Sequence, residues 1–139
     1  AEAALQAGAE HLFVVHGRDG SDEATVAAAT LVHEVHGGAI RDYELSPEDV
    51  GLERATPDAL AGGSPEDNAE ITRAIVDGEA GPRSDAVCLN AGLGLVAAGL
   101  AADIAAGLVL PREAIAGGAA RRKLDALVAA THRLAGADS

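Results

Sequence analysis

The sequence predicts an α/β domain in which a mixed sheet is packed by helices rich in small residues, and three observations carry that expectation. An apolar run, Leu12-Phe13-Val14-Val15, has the content of a buried strand and is followed at once by a glycine-rich acidic loop, HGRDGSDE, at His16 to Glu23. Thr30 to Val35, with the β-branched content of a strand, and Ala39 to Leu45, which alternates as a strand does, flank Gly37-Gly38 and read as an antiparallel hairpin. Beyond residue 46 the strand signals give way to a series of helix starts. Phe13 and Tyr43 are the only phenylalanine and tyrosine, and tryptophan is absent. The core must therefore be built from small side chains and closely approaching helices, with modest hydrophobic stabilisation per residue.

Ala1 to Ala9 has the propensity of a helix tail closed by Gly8, and it leads into the strand at His11 to Val15. Open α/β sheets bind ligands at the carboxyl ends of their strands, which makes the following loop the first candidate site. Gly17 and Gly20 permit a sharp turn and a close backbone approach, and Asp19 is placed for an Asx-type bond to backbone. Asp22 and Glu23 offer two hard oxygen ligands suited to Mg²⁺. Neighbours in a regular strand point to opposite faces, so this pair shares an ion only where the chain bends. Ala24 to Ala29 has no decisive pattern.

Three stretches, Ser46-Pro47-Glu48-Asp49, Thr56-Pro57-Asp58 and Ser64-Pro65-Glu66-Asp67, each place a capping hydroxyl before proline and acids, the signature of a helix N-terminus. Gly51 keeps the first short, and the third carries Ala69, Ile71, Ile75 and Val76 on an apolar side until Gly78 stops it. The run from Ala86 to Ala102 has no charge and is bounded by Asp85 and Asp103. It sits at the lower edge of membrane-span length, but Asn90 and its many small residues make it a buried helix, with Ala91, Leu95 and Ala98 on the side a neighbouring backbone approaches. Pro111 to Ile115 begins a short helix. Ala119 to Leu134 is amphipathic, with Leu124, Leu127, Val128 and Leu134 inward and Arg121, Arg122 and Lys123 outward. Ala135 to Ser139 reads as a frayed tail.

A net charge of −12 argues against a nucleic-acid or anionic-membrane surface, because phosphate binding needs clustered cations. The single cysteine, Cys88, excludes an internal disulfide framework, fits a cytoplasmic protein and reads as a small core hydrophobe. Methionine is absent even at position 1, so the chain is expected to be a piece of something longer; it carries no basic-then-apolar signal peptide. His16 reads as a packing and hydrogen-bonding histidine. His33 and His36 have a spacing that binds metal on a helix, but on a strand they diverge, and without a third ligand no zinc site is expected there. Gly62-Gly63 before Ser64 could hold an anion at a helix N-terminus, yet Glu66 and Asp67 repel one, so a plain cap is the better reading. Asn68 and Asn90, polar residues in apolar helices, are expected to satisfy buried backbone groups.

The same residues carry a resemblance. VVHGRDGSDE resembles the metal-binding HGxDGxDE loop of the anthranilate phosphoribosyltransferase family. PEDVGL at Pro47 to Leu52, LAGGSPEDNA at Leu60 to Ala69, GEAGPRSDAVCLNAG at Gly78 to Gly92 and AIAGGAARRKLDAL at Ala114 to Leu127 follow in the family's order. The family's N-terminal helices, GTGGD diphosphate loop and KHGN motif have no counterpart, so the resemblance is to the C-terminal part alone. It implies an incomplete C-terminal α/β domain, spanning 1–139, of the nucleoside-phosphorylase and phosphoribosyltransferase type, whose helical domain and first sheet strands lie in a missing N-terminal half or a second chain. It implies further that Asp22 and Glu23 hold the Mg²⁺ that neutralises the diphosphate of phosphoribosyl pyrophosphate (PRPP), with Gly17, Asp19 and Gly20 shaping the loop. PRPP and anthranilate are the substrates it implies, and the family forms homodimers. No catalytic residue falls in this portion, no substrate contact is assigned, and the chain alone is expected to be inactive. Arg83 stands one place early against the family's arginine. Two other readings fit: a non-catalytic metal- or phosphate-binding or assembly domain of the same ancestry, and a relative sharing the fold, such as a pyrimidine nucleoside phosphorylase, against which PEDVGL and GGSPEDNA weigh, or a nucleic-acid-binding relative, against which the acidic balance weighs.

Overall fold

The structure, a computed structural model, describes residues 1–137. Strands β1 (His11–Gly17), β2 (Thr30–His36) and β3 (Ala39–Leu45) form one sheet in the order β1-β2-β3, with both pairs antiparallel. The α/β class stands. Among the described residues, however, the sheet holds no parallel pair, where a mixed sheet is expected. A parallel pair needs a crossover, usually a helix, and residues 18–29 between β1 and β2 form the irregular acidic loop instead. His36 pairs with Ala39, so the hairpin turns on Gly37 and Gly38 alone. Their φ values of +59° and +79° are those of a two-residue turn that other residues adopt only with strain.

The ladder register puts Phe13, Val15, Val32, Tyr43 and Leu45 on one face of the sheet. That face meets the core, where Val32, Leu45, Leu52, Cys88, Leu89 and Leu93 are buried together. On the opposite face Val14 is 40% exposed, so β1 is a half-buried edge strand rather than a buried one. Helix α1 (Glu2–Gln6) lies against β3 and is shorter than the expected tail.

After the sheet, the three proline-led starts appear as expected. Pro47–Val50 and Pro57–Leu60 are single 3₁₀ turns, and α2 (Pro65–Val76) is a helix whose Ser64 and Asp67 form a capping box. Helix α3 (Pro82–Ala97) is the central support of the sheet. It begins a turn earlier than its uncharged run, because Pro82 after Gly81 is a fourth proline-led start, and it ends ahead of Gly99, whose φ is +70°. Its buried face is Cys88, Leu89, Gly92, Leu93 and Val96; Ala91 and Ala98, expected on the close-contact side, are exposed. The close approach is made by glycines instead. A Cβ on Gly107, at the end of α4 (Ile104–Gly107), would lie 2.8 Å from the Gly92 carbonyl oxygen.

Helix α5 (Val109–Ala116) holds Pro111 inside its first turn, where a missing N–H costs nothing. Helix α6 (Ala119–Ala137) corrects a further expectation: Leu127, Val128 and Leu134 are 59%, 41% and 71% exposed rather than inward. It packs on α5 and α2, with Arg121 paired to Asp77, and nothing among the described residues covers the rest of its apolar side. The tail expected from Ala135 is helical to Ala137, and its last two residues lie outside the described ones. No helix among the described residues is long and apolar enough to cross a membrane.

Candidate metal site in the loop after the first strand

The loop that follows β1 closes on itself before it presents its acids. Gly17 N–H donates to the Ser21 carbonyl at 2.8 Å, and Gly20 N–H donates back to the Gly17 carbonyl at 3.0 Å. Gly20 has a φ of +94°, the left-handed conformation glycine adopts most readily. Gly17 is buried, and a Cβ there would stand 2.4 Å from Asp19 Oδ1 and 3.0 Å from the Thr25 methyl carbon.

Asp19 is the inner brace. Its Oδ1 accepts from the Ser21 N–H at 3.1 Å, the expected Asx bond, and its Oδ2 accepts from the Thr25 hydroxyl at 2.7 Å. Burial pushes the Asp19 carboxyl up, but the bonds from Thr25 and Ser21 outweigh it and hold the group below the usual carboxylate range. Thr25 is buried, and its hydroxyl also accepts from the Ala27 N–H at 3.0 Å. Arg18 ties the outer side of the loop to β3 by donating to Glu44, with Nε 3.1 Å from Oε1.

The far end of the loop is clamped by α3. Asn90 Oδ1 accepts from the Ala24 N–H at 3.0 Å while its Nδ2 donates to the Ala24 carbonyl at 2.8 Å. The amide pairs with both polar groups of one residue, as a neighbouring strand would. Nδ2 also donates to the Ala86 carbonyl at 2.9 Å. Asn68 does the same to Gly63, at 2.9 Å and 3.1 Å, but in an exposed setting, so of the two asparagines only Asn90 serves partly buried backbone.

Between these clamps the backbone bends at Asp22 and Glu23, and both side chains are exposed. Among the described residues neither carboxylate accepts a hydrogen bond or joins an ion pair. Glu23 faces a cleft of about 540 Å³ that runs between the loop, α2 and the start of α3. Arg83 lines the same cleft; its Nη2 donates to the Ala61 carbonyl at 2.6 Å, and its buried Nε has no partner. A bent pair of free carboxylates on a braced loop can take a hard divalent cation and leave its remaining positions to water and phosphate oxygens.

Residues 1–121 match the model of the glycosyl transferase family, a/b domain. The chain belongs to that family. Within it, the chain is 52% identical to the anthranilate phosphoribosyltransferase of Verminephrobacter eiseniae, over 92% of this chain and 37% of that protein. The fold matches the crystal structure of anthranilate phosphoribosyltransferase from Thermus thermophilus with a TM-score of 0.77 and 43% identity, covering 86% of this chain and 35% of that one. It also matches the Saccharomyces cerevisiae enzyme in complex with PRPP and Mg, with a TM-score of 0.74 and 27% identity, covering 88% and 36% of the two chains. The resemblance read from the sequence motifs is therefore correct at the level of the family. The chain spans little more than a third of the length of these relatives.

Thr25 and the Ala24–Asn90 clamp escape a sequence reading, because their partners lie elsewhere in the chain and no spacing announces them. His16 is exposed, where a packing role is expected, since it lies on the open face of the edge strand. His33 and His36 do point to opposite faces, with His33 on Asp42 at 2.7 Å. Cys88 is buried, and burial raises its thiol pKa, which keeps it an inert core group.

Proposed function

We propose that this chain is the C-terminal α/β portion of an anthranilate phosphoribosyltransferase, a cytoplasmic enzyme of tryptophan biosynthesis, and that Asp22 and Glu23 are its Mg²⁺ ligands. The observation that carries the proposal is the match of nearly the whole chain to a relative half-identical in sequence. In the parent reaction the anthranilate nitrogen bonds to C1′ of PRPP as the C1′–O bond to pyrophosphate breaks. Bound Mg²⁺ supplies charge neutralisation for the departing pyrophosphate.

The donor set suits that ion. Mg²⁺ keeps several waters and takes one or two carboxylates together with substrate phosphates, which is what two exposed acids without protein partners offer. This chain's residues hold those acids in place: Asp19 and Thr25 brace one end of the loop, and Asn90 clamps the other through Ala24. The diphosphate loop and the anthranilate contacts belong to the N-terminal part of the enzyme. It follows that the chain alone is inactive, and that the free edge of β1 pairs with a strand from that part or from a second chain.

The test is loss of anthranilate fluorescence with PRPP and Mg²⁺, for the chain alone and with the N-terminal part added. The expected result is turnover in the mixture only, abolished by Asp22→Asn with Glu23→Gln. A folded, associated mixture that stays silent would overturn the enzyme reading and leave a non-catalytic binding domain.

A further inference from the structure

We propose that His11, Glu34 and His36 form a second metal site, for a transition-metal ion of the zinc class, at the opposite end of β1 from the acidic loop. The antiparallel register sets His11 directly across from His36, and Glu34, two residues before His36, lies on the same face of β2. His11 Nε2 stands 3.2 Å from Glu34 Oε1. The two imidazoles are stacked, with centroids 4.1 Å apart and planes 17° off parallel. One donor atom from each of the three residues falls within 4.8 Å of the others.

Those distances suit a first-row ion. With zinc bonds of about 2.0–2.1 Å in a tetrahedral shell, neighbouring ligand atoms stand about 3.3 Å apart. His11 and Glu34 already meet that spacing, and they are largely buried, with side chains 15% and 11% exposed. His36 is exposed, so its ring is free to turn toward the other two ligands and its position gives the ion a route in. Arg41 Nη2 donates to Glu34 Oε2 at 2.7 Å, which leaves Oε1 turned to His11, the arrangement by which outer partners orient a ligand.

Two imidazoles and one carboxylate favour Zn²⁺, Co²⁺, Ni²⁺ or Cu²⁺ over Mg²⁺, which separates this site chemically from the acidic loop. Three protein ligands leave a fourth position for water or an external donor. Because the ligands come from two strands, the ion would fasten the edge strand β1 to β2. His33 lies on the other face of the sheet and serves as the control.

The experiment is titration of the full chain with Co²⁺, followed by its visible absorption, and with Zn²⁺ by calorimetry, both at neutral pH. The expected result is one saturable equivalent that survives Asp22→Asn with Glu23→Gln, is unaffected by His33→Gln, and weakens about tenfold or more in His36→Gln. Zn²⁺ should also raise the thermal midpoint of the parent chain and not that of His36→Gln. His36 is exposed, so that variant folds, and Glu34→Gln provides a second loss of a ligand. Absence of saturable binding, binding indifferent to His36→Gln, or binding that disappears with the Asp22 and Glu23 pair would each overturn the proposal.

Discussion

Replacing Asn90 with alanine tests the idea that α3 holds the acidic loop. The change removes three hydrogen bonds, two to Ala24 and one to Ala86. The Ala86 carbonyl lies within α3 and retains its helical bonding, so its loss is minor. Ala24 is 2% exposed, and its N–H and carbonyl would be left without partners in a place water reaches poorly. At about 1 kcal/mol for each ordinary bond and somewhat more for a buried group left unpaired, the variant should lose about 3 kcal/mol. Urea unfolding would show this as a lower midpoint at unchanged slope. Asn68→Ala is the internal control: the same double pairing, made to exposed Gly63, should cost less than about 1 kcal/mol. Asn90→Asp should be worse than alanine, since a carboxylate would face two carbonyl oxygens. Equal losses for Asn90→Ala and Asn68→Ala would refute the claim that burial of the clamp, rather than its hydrogen-bond count, determines its worth.

Other consequences can be checked on the same chain. Gly107→Ala drives a Cβ against the Gly92 carbonyl, backbone that cannot swing aside, and should cost about 1–3 kcal/mol by thermal or chemical unfolding. In the loop, Gly20→Ala has open space but a φ of +94°, so it should lose about 1–2 kcal/mol through backbone strain alone. Gly17→Ala instead displaces Asp19, and should lower Mg²⁺ affinity measured by calorimetry more than Gly20→Ala does. The depressed pKa of Asp19 gives a pH signature: its stabilisation is full above the unfolded aspartate pKa near about 4 and is lost as pH falls through the lower folded value. Asp19→Asn should therefore lose stability at neutral pH and show a shallower acid limb than the parent in unfolding followed from neutral to acid pH.

What the sequence made legible, and what it did not, divides by the range of the interaction. The helix starts at Pro47, Pro57 and Pro65 and the Gly37-Gly38 turn could be read because each is decided within four residues. The acidic loop was visible for the same reason, since its glycines and carboxylates are neighbours. The orientation of α3 was not: a helix apolar and small on every side has no polar stripe to mark its outward face, so the choice between Ala91 and Gly92 as the contact rested on the partner, Gly107, that no local pattern identifies. The edge position of β1 shows the same limit, for an apolar run reads alike whether one neighbour is present or two.

The histidines carry this furthest. Spacing along β2 correctly separates His33 from His36, because alternation within a strand is a local rule. It cannot find that His11 stands opposite His36, because cross-strand register depends on where the intervening loop lets the chain return. That return is governed by the braces at Asp19, Thr25 and Asn90, and Thr30, the first residue of β2, receives the Thr25 N–H at 3.1 Å. A slip of one residue at this point would turn His36 to the other face and separate it from His11 and Glu34. The acidic loop therefore does two things at once: it presents Asp22 and Glu23, and it sets the register that brings the three metal-ligating groups together at the other end of the strand. Loosening the loop with Thr25→Ala should accordingly weaken Zn²⁺ binding at His36 without touching any of its ligands, whereas two independent sites would leave that binding unchanged.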